Sequence, residues 1–268
     1  MNDVVLSVAA HGSDAEFMAG GTLARMAAGG HDVYLAVGTE NDRSSLRLPA
    51  RDLKARARPE AEAAAAALGA KGLFMLGYAD GDLCDVKPSV LRGEVMRIIR
   101  QVRAGTVFSW DPNALDESHP DHRAMAWATS DAARLAHLPL YHPEHLEAGS
   151  SGAAPLAPQR VSEWYWYSKT DWGANKLVDV TDTMEQKLAA LRAYDSQMVL
   201  LLDEFLAEAR LSSIDEDQLA GVDPLEHGPW IEMTVRAIHS RLGVAEGIAY
   251  AETFRYETLE GRELRQSL

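Results

Sequence analysis

The sequence predicts an α/β fold: a mostly parallel sheet flanked by helices, with a cap or insertion toward the C-terminus. Three observations carry this. Short apolar runs recur without polar alternation, as strands covered on both faces require. A segment of helical spacing follows each of the first four runs. Glycines close the first two helices, at Gly29-Gly30 and Gly69.

In chain order, residues 4–10 form the first strand and 15–28 the first helix, and 32–38 the second strand. A polar loop, 40–47, leads into an alanine-rich helix at 50–68. Residues 71–76 are the third strand, 88–102 a helix, 106–110 the fourth strand and 119–136 another helix. The pattern then breaks at 138–159, rich in Pro, Gly, Ser and Ala, which reads as a long loop. Strands are expected at 161–168 and 177–180, and a helix at 183–194 carries Met184, Leu188 and Leu191 at helical spacing. Residues 198–230 combine an apolar helix (199–211) with the acidic triplet at 215–217, and are too short for a core of their own. They are read as a cap on a single domain, 1–268. A helix at 230–242 and a strand at 249–256 complete the chain. The loop 138–159 and the segment 198–230, as the least regular parts, are expected to frame a binding site.

A chain of 268 residues with 47% hydrophobic and 25% charged residues has the composition of a soluble globular protein. Its net charge of −14 argues against nucleic-acid or anionic-membrane partners, which need basic patches. Cys84 is the only cysteine, so no internal disulfide forms. No run reaches the roughly 18 to 20 apolar residues of a membrane span, and residues 1–4 lack a signal peptide's basic start. The expected location is the cytoplasm, and the expected partner a small molecule. A homo-oligomer is compatible with everything above.

Chemistry concentrates in two clusters. His11-Gly12-Ser13-Asp14 lies where the first strand ends and the first helix begins, and His119-Pro120-Asp121-His122 follows the fourth strand in the same way. Both therefore belong at one edge of the sheet, where open α/β sheets bind their ligands. Imidazole nitrogens and a carboxylate suit Zn²⁺ or another divalent metal. His119 and His122, three residues apart, share a face of the first helical turn.

Residues 10–17 (Ala-His-Gly-Ser-Asp-Ala-Glu-Phe), with Ala19-Gly20-Gly21-Thr22-Leu23 behind them, resemble the opening motif of the PIG-L or LmbE-like family of zinc-dependent N-deacetylases. Asp80-Gly81-Asp82, Asp111-Pro112, His119-Pro120-Asp121-His122, Asp179 with Lys187, Ser196-Gln197 and Tyr250-Ala251-Glu252 fall in the family's order. The resemblance implies a Rossmann-like α/β fold and, on it, a zinc hydrolase that removes an acyl group, acetyl above all, from the nitrogen of a sugar-like or other small metabolite. Carried over residue by residue, it implies metal ligands at His11, Asp14 and His122. It also implies that His119 stabilises the oxyanion and that Asp121 is the carboxylate between the two histidines.

At Ser13 the sequence departs from the family, which has His-Pro-Asp-Asp with its first aspartate as general base. A serine hydroxyl takes no proton at neutral pH, and loss of a base typically costs about 10² to 10⁴ in rate. Relatives with a non-acidic residue there include hydratases of unsaturated oxo-diacids. A hydratase is thus one alternative, and a catalytically weakened metal-binding homologue another. A diacid substrate would call on Arg123 or the arginines between 43 and 58. Glu16 is a candidate replacement base, against the simpler reading that it complements the helix dipole. Tyr194 stands where many relatives have a histidine. Asp111 reads as an anchor for the loop or for a ligand histidine, Gly20-Gly21 as helix packing, and the aromatic run 164–167 as half core and half pocket wall.

Overall fold

The computed structural model describes residues 3–147, 154–171, 173–211 and 222–259. Seven strands form one sheet: β1 (Val4–Ala9), β2 (Asp32–Thr39), β3 (Gly72–Tyr78), β4 (Thr106–Trp110), β5 (Glu163–Tyr167), β6 (Lys176–Asp179) and β7 (Ala251–Thr258), in the order β3-β2-β1-β4-β5-β7-β6. The five strands from β3 to β5 run parallel, and β7 joins antiparallel to both β5 and β6.

Helices α1 (Asp14–Ala28), α2 (Ala50–Ala67) and α5 (Met184–Ala193) cover one face, while α3 (Pro88–Val102) and α4 (Pro120–Leu135) cover the other. Strand residues divide between the two layers with the period of two that a pleated sheet imposes. Val5 and Ala9 face α1, whereas Leu6 and Val8 face α3 and α4. The aromatic run obeys the same rule with a different result from that expected. Tyr165 and Tyr167 enter the first layer, Trp164 and Trp166 the second, and all four are buried. β5 lies inside the sheet with both faces covered, and none of the four lines the cavity over the sheet's carboxyl edge.

The C-terminal segment expected as a cap begins earlier than its apolar pattern suggests. Helix α6 (Asp195–Leu211) already contains Ser196 and Gln197, and α7 (Gly228–Gly243) returns beside it. Val180, Met184, Leu188, Leu191, Met198, Ile231 and Val235 form a third small core between α5, α6 and α7. The acidic triplet 215–217 lies outside the described residues.

The described ends of the loop 138–159 pack at the sheet's opposite, amino edge. Buried Arg100 holds them there, donating to the carbonyls of Ala136, Leu138, Tyr141 and His142. Gln159 likewise donates to the carbonyl of Ala104, just before β4. Composition marks this segment as a loop but does not say which edge it occupies, and its described residues do not frame the site as expected.

A buried ion pair fixes α1 relative to β7. Lys187 Nζ lies 2.6 Å from Glu252 Oε1 with both side chains fully inside, and Glu252 also accepts from the Gly21 and Thr22 amides and the Thr22 hydroxyl. The glycine pair in α1 serves close packing, since a Cβ on Gly21 would stand 2.6 Å from Val180 Cβ. Removing one partner of such a pair strands a charge in the interior. Lys187→Met is expected to lower the unfolding free energy by about 3 to 5 kcal/mol in urea titrations. The same change at Lys71, in an exposed pair with Asp32, should leave the midpoint unmoved. A Lys187→Met protein as stable as its parent would contradict this role.

Candidate metal centre

The sheet order reverses at β1, whose neighbours are β2 on one side and β4 on the other. A crevice opens at the carboxyl ends of β1 and β4, and both histidine clusters meet in it. A cavity of about 480 Å³ lies over this edge, with His11, Ser13, Asp14, Trp110, His119 and His122 at its inner end.

His11 Nδ1 and His122 Nε2 face each other at 3.1 Å. Asp14 Oδ1 lies 3.5 Å from His122 Nε2, and Asp14 Oδ2 lies 3.6 Å from His11 Nδ1. A tetrahedral ion with bonds of 2.0 to 2.2 Å spaces its ligand atoms about 3.3 to 3.6 Å apart, so these three side chains fit a small divalent cation. His11, His119 and His122 also gather ring nitrogens closely enough to hold an ion.

Each of the two facing imidazoles is backed by carboxylate. His11 Nε2 lies 3.1 Å from Asp80 Oδ1 and 3.3 Å from Asp121 Oδ2. His122 Nδ1 lies 3.0 Å from Glu117 Oε2, off the line of an ideal hydrogen bond. Such partners put the imidazole proton on the far nitrogen and leave the near one free to bind metal. Asp121, fully buried, accepts from the Gly81 and Leu83 amides as well. The ring it backs is that of His11. Asp80 is fixed by the Ser44 hydroxyl.

These contacts set the charges. Burial pulls the His11 pKa down, but hydrogen bonds to Asp121, Asp14 and Asp80 outweigh it and leave the group well above the usual histidine value. Burial opposes ionisation of Asp14 too, yet His122 and His11 hold its carboxyl well below the ordinary range. Glu117 behaves alike, brought to about 2 because its bonds with His122 and the His119 amide exceed its burial cost. His119 goes the other way. Burial, then the nearby His11 and His122, lower its pKa. Its Nδ1 accepts from the Asp121 amide at 3.2 Å, so in the neutral ring Nε2 carries the proton.

Ser13 lines the cavity with a left-handed backbone, φ +84°. Glu16 does not reach the cavity. Two residues beyond Asp14 it is turned about 200° around the helix, into the interior. There its Oε1 lies 3.4 Å from the Tyr194 hydroxyl, and burial pushes its pKa to about 7 against its local hydrogen bonds. Tyr194 fills the space above Gly12, where a Cβ would stand 2.5 Å from the ring. Asp111 is the anchor expected, gripped through both oxygens by Arg255.

Four contributors escaped the sequence reading. Asn41 pins Gly12 through both its amide atoms; Trp110 stacks on His122 at 4.1 Å and donates to Asp14 Oδ2; Glu117 backs His122; Lys169 pairs with Glu117 at 3.2 Å from the cavity wall. Glu117, two residues before His119, was the most accessible of the four, as an acid beside a histidine cluster.

Residues 6–133 match the PIG-L family, described as GlcNAc-PI de-N-acetylase. The chain is also 31% identical over 200 residues, 73% of its length, to the diacetylchitobiose deacetylase of Thermococcus kodakarensis, 71% of which is covered. This chain belongs to the PIG-L family. A second relative is the 1D-myo-inositol 2-acetamido-2-deoxy-alpha-D-glucopyranoside deacetylase of Actinosynnema mirum, 30% identical over 234 residues, covering 74% of this chain and 82% of that one. Among solved PIG-L folds, the N,N'-diacetylchitobiose deacetylase of Pyrococcus horikoshii superposes with a TM-score of 0.75 at 26% identity, over 96% of this chain and 84% of that chain.

Replacing Glu117 isolates the support given to His122. Glu117→Gln keeps the shape and loses the charge. It is expected to weaken binding of Zn²⁺ about 10- to 100-fold in competition titrations, with folding unchanged by circular dichroism. Unaltered affinity would show that Glu117 does not set the imidazole.

Proposed function

We propose that this protein is a metal-dependent amide hydrolase that removes an N-acyl group, acetyl in the simplest case, from a sugar-like small molecule. The supporting observation is the convergence of His11 Nδ1, His122 Nε2 and Asp14 at spacings suited to one small cation, in a chain whose relatives are deacetylases. His11, Asp14 and His122 would hold the ion, and the donor set, two imidazoles and one carboxylate, favours Zn²⁺. A bound divalent ion polarises a carbonyl and brings water to a pKa near 7.

The chain's own residues supply the rest. Asp80 and Asp121 orient His11, and Glu117 orients His122. His119, neutral and carrying its proton on Nε2, is set to donate to the substrate's carbonyl oxygen as negative charge grows there. Trp110 covers one face of His122 and excludes water from it. Ser13 offers a hydroxyl to the cavity but no base.

The hydratase alternative required arginines near the metal. Arg43 is held by Asp82, Arg47 by Asp203, Arg56 by Asp195, and Arg123 donates to the Ser118 carbonyl. None of these four lines the cavity, whose cationic lining is Lys169, already paired with Glu117, and Arg241; the hydrolase reading is preferred because the curated relatives are deacetylases.

Ser13→Asp tests it. The left-handed backbone at 13 suits aspartate better than serine, so the new carboxylate needs no backbone change. Acetate release from N-acetylglucosaminides should rise, by up to about 10² to 10⁴, and vanish on chelation. Adding Gly12→Pro is counterproductive, because Tyr194 occupies that space and the Gly12 amide donates to Asn41. No gain with Ser13→Asp, together with hydration of an unsaturated oxo-acid by the unmodified protein, would overturn the proposal.

A further inference from the structure

The cavity has two ends of different chemistry. At the sheet edge stand the histidines and Asp14. Away from it the apolar lining comes from Phe17 of α1, Met198 and Leu201 of α6, and Ile238 and Leu242 of α7, with Glu204 and Arg241 of the same two helices also reaching the cavity. The residues on α7 are informative as a series. Ile231, Val235, Ile238 and Leu242 recur at intervals of four, three and four, one continuous stripe along the helix. Its first half, Ile231 and Val235, is sealed in the core shared with α5 and α6. Its second half runs on past that core, and Ile238 and Leu242, each only partly buried, face the cavity. Helix α6 does the same, with Met198 shared between core and cavity and Leu201 one turn on.

A core-type stripe that continues into an open cavity leaves apolar surface in water unless a ligand covers it. Phe17, packed against that same core, comes three residues after the proposed metal ligand Asp14 on α1, so the apolar wall adjoins the reacting end. We infer that the substrate carries an apolar group, an alkyl or aryl segment of several carbons, which lies between α1, α6 and α7 while its amide sits at the histidine cluster. The inference rests on the amide-hydrolase reading. That group belongs either to the acyl chain released or to an aglycone on the sugar, and the wall recognises the same chemistry in both.

Two substrate series separate the sources. In one, the N-acyl chain of glucosamine grows from acetyl to octanoyl; in the other, the aglycone of N-acetylglucosamine grows from methyl to hexyl. In the series that matches, kcat/KM is expected to rise about two- to fourfold per methylene, and Ile238→Ser to flatten that slope. Calorimetry provides a readout without turnover: the unmodified protein should bind hexyl glucosaminide more tightly than methyl glucosaminide if the aglycone is the source, and octanoate more tightly than acetate if the acyl chain is. Flat slopes in both series with acid still released would overturn the apolar subsite and leave the hydrolase reading standing. Tighter binding of the longer ligand with no acid released from any amide would keep the subsite and remove the hydrolase. Equal binding with no release would remove both.

Discussion

The site depends on one electrostatic constraint, the burial of four carboxylates around three histidines at a single sheet edge. Asp14, Asp80, Glu117 and Asp121 lie almost wholly inside, and unpaired anions at such depth are prohibitively costly. Two imidazoles answer them: His11 and His122 both have pKa values raised by their acid neighbours despite burial. Two imidazolium protons bring a charge of +2, which is also what a divalent ion brings while leaving both rings neutral. The same acids that would protonate the rings in the absence of an ion would orient them in its presence.

The fold's part is to make that crowding unavoidable. β1 and β4 are hydrogen-bonded neighbours, so the residues that follow them emerge side by side. The turn after β1 is stiffened from outside: Asn41, following β2, brackets Gly12, and Tyr194 packs where a larger residue at 12 would go. Gly12 and Tyr194 are therefore fitted to each other. Below them, the Lys187–Glu252 pair ties the first helix to the antiparallel edge of the sheet, so the segment bearing Asp14 is held at both ends.

Much of this was legible in the sequence because it is local. Apolar runs, glycine stops and two compact histidine motifs each occupy a few consecutive residues, and they located the parallel strands, α1 to α5 and the edge where the clusters meet. Most of what escaped is long-range. Trp110 meets Asp14 across 96 positions, and Asn41 meets Gly12 across 29; neither has a local signature. The aromatic run 164–167 looked amphipathic only until β5 proved to be covered on both faces. The loop 138–159 was recognised as a loop, yet its place was decided by Arg100, a residue on another helix. Glu16 drew attention by its neighbours in sequence, but helical rotation turns it inward.

The shell around the bound ion is the most direct test. X-ray absorption of the zinc-loaded protein counts imidazoles and separates two candidate sets that share His11 and His122 and differ only in Asp14 against His119. Ligation by His11, Asp14 and His122 predicts two imidazole rings plus oxygen scatterers at about 2.0 to 2.2 Å, unchanged in His119→Ala. A third imidazole that disappears in His119→Ala would contradict it.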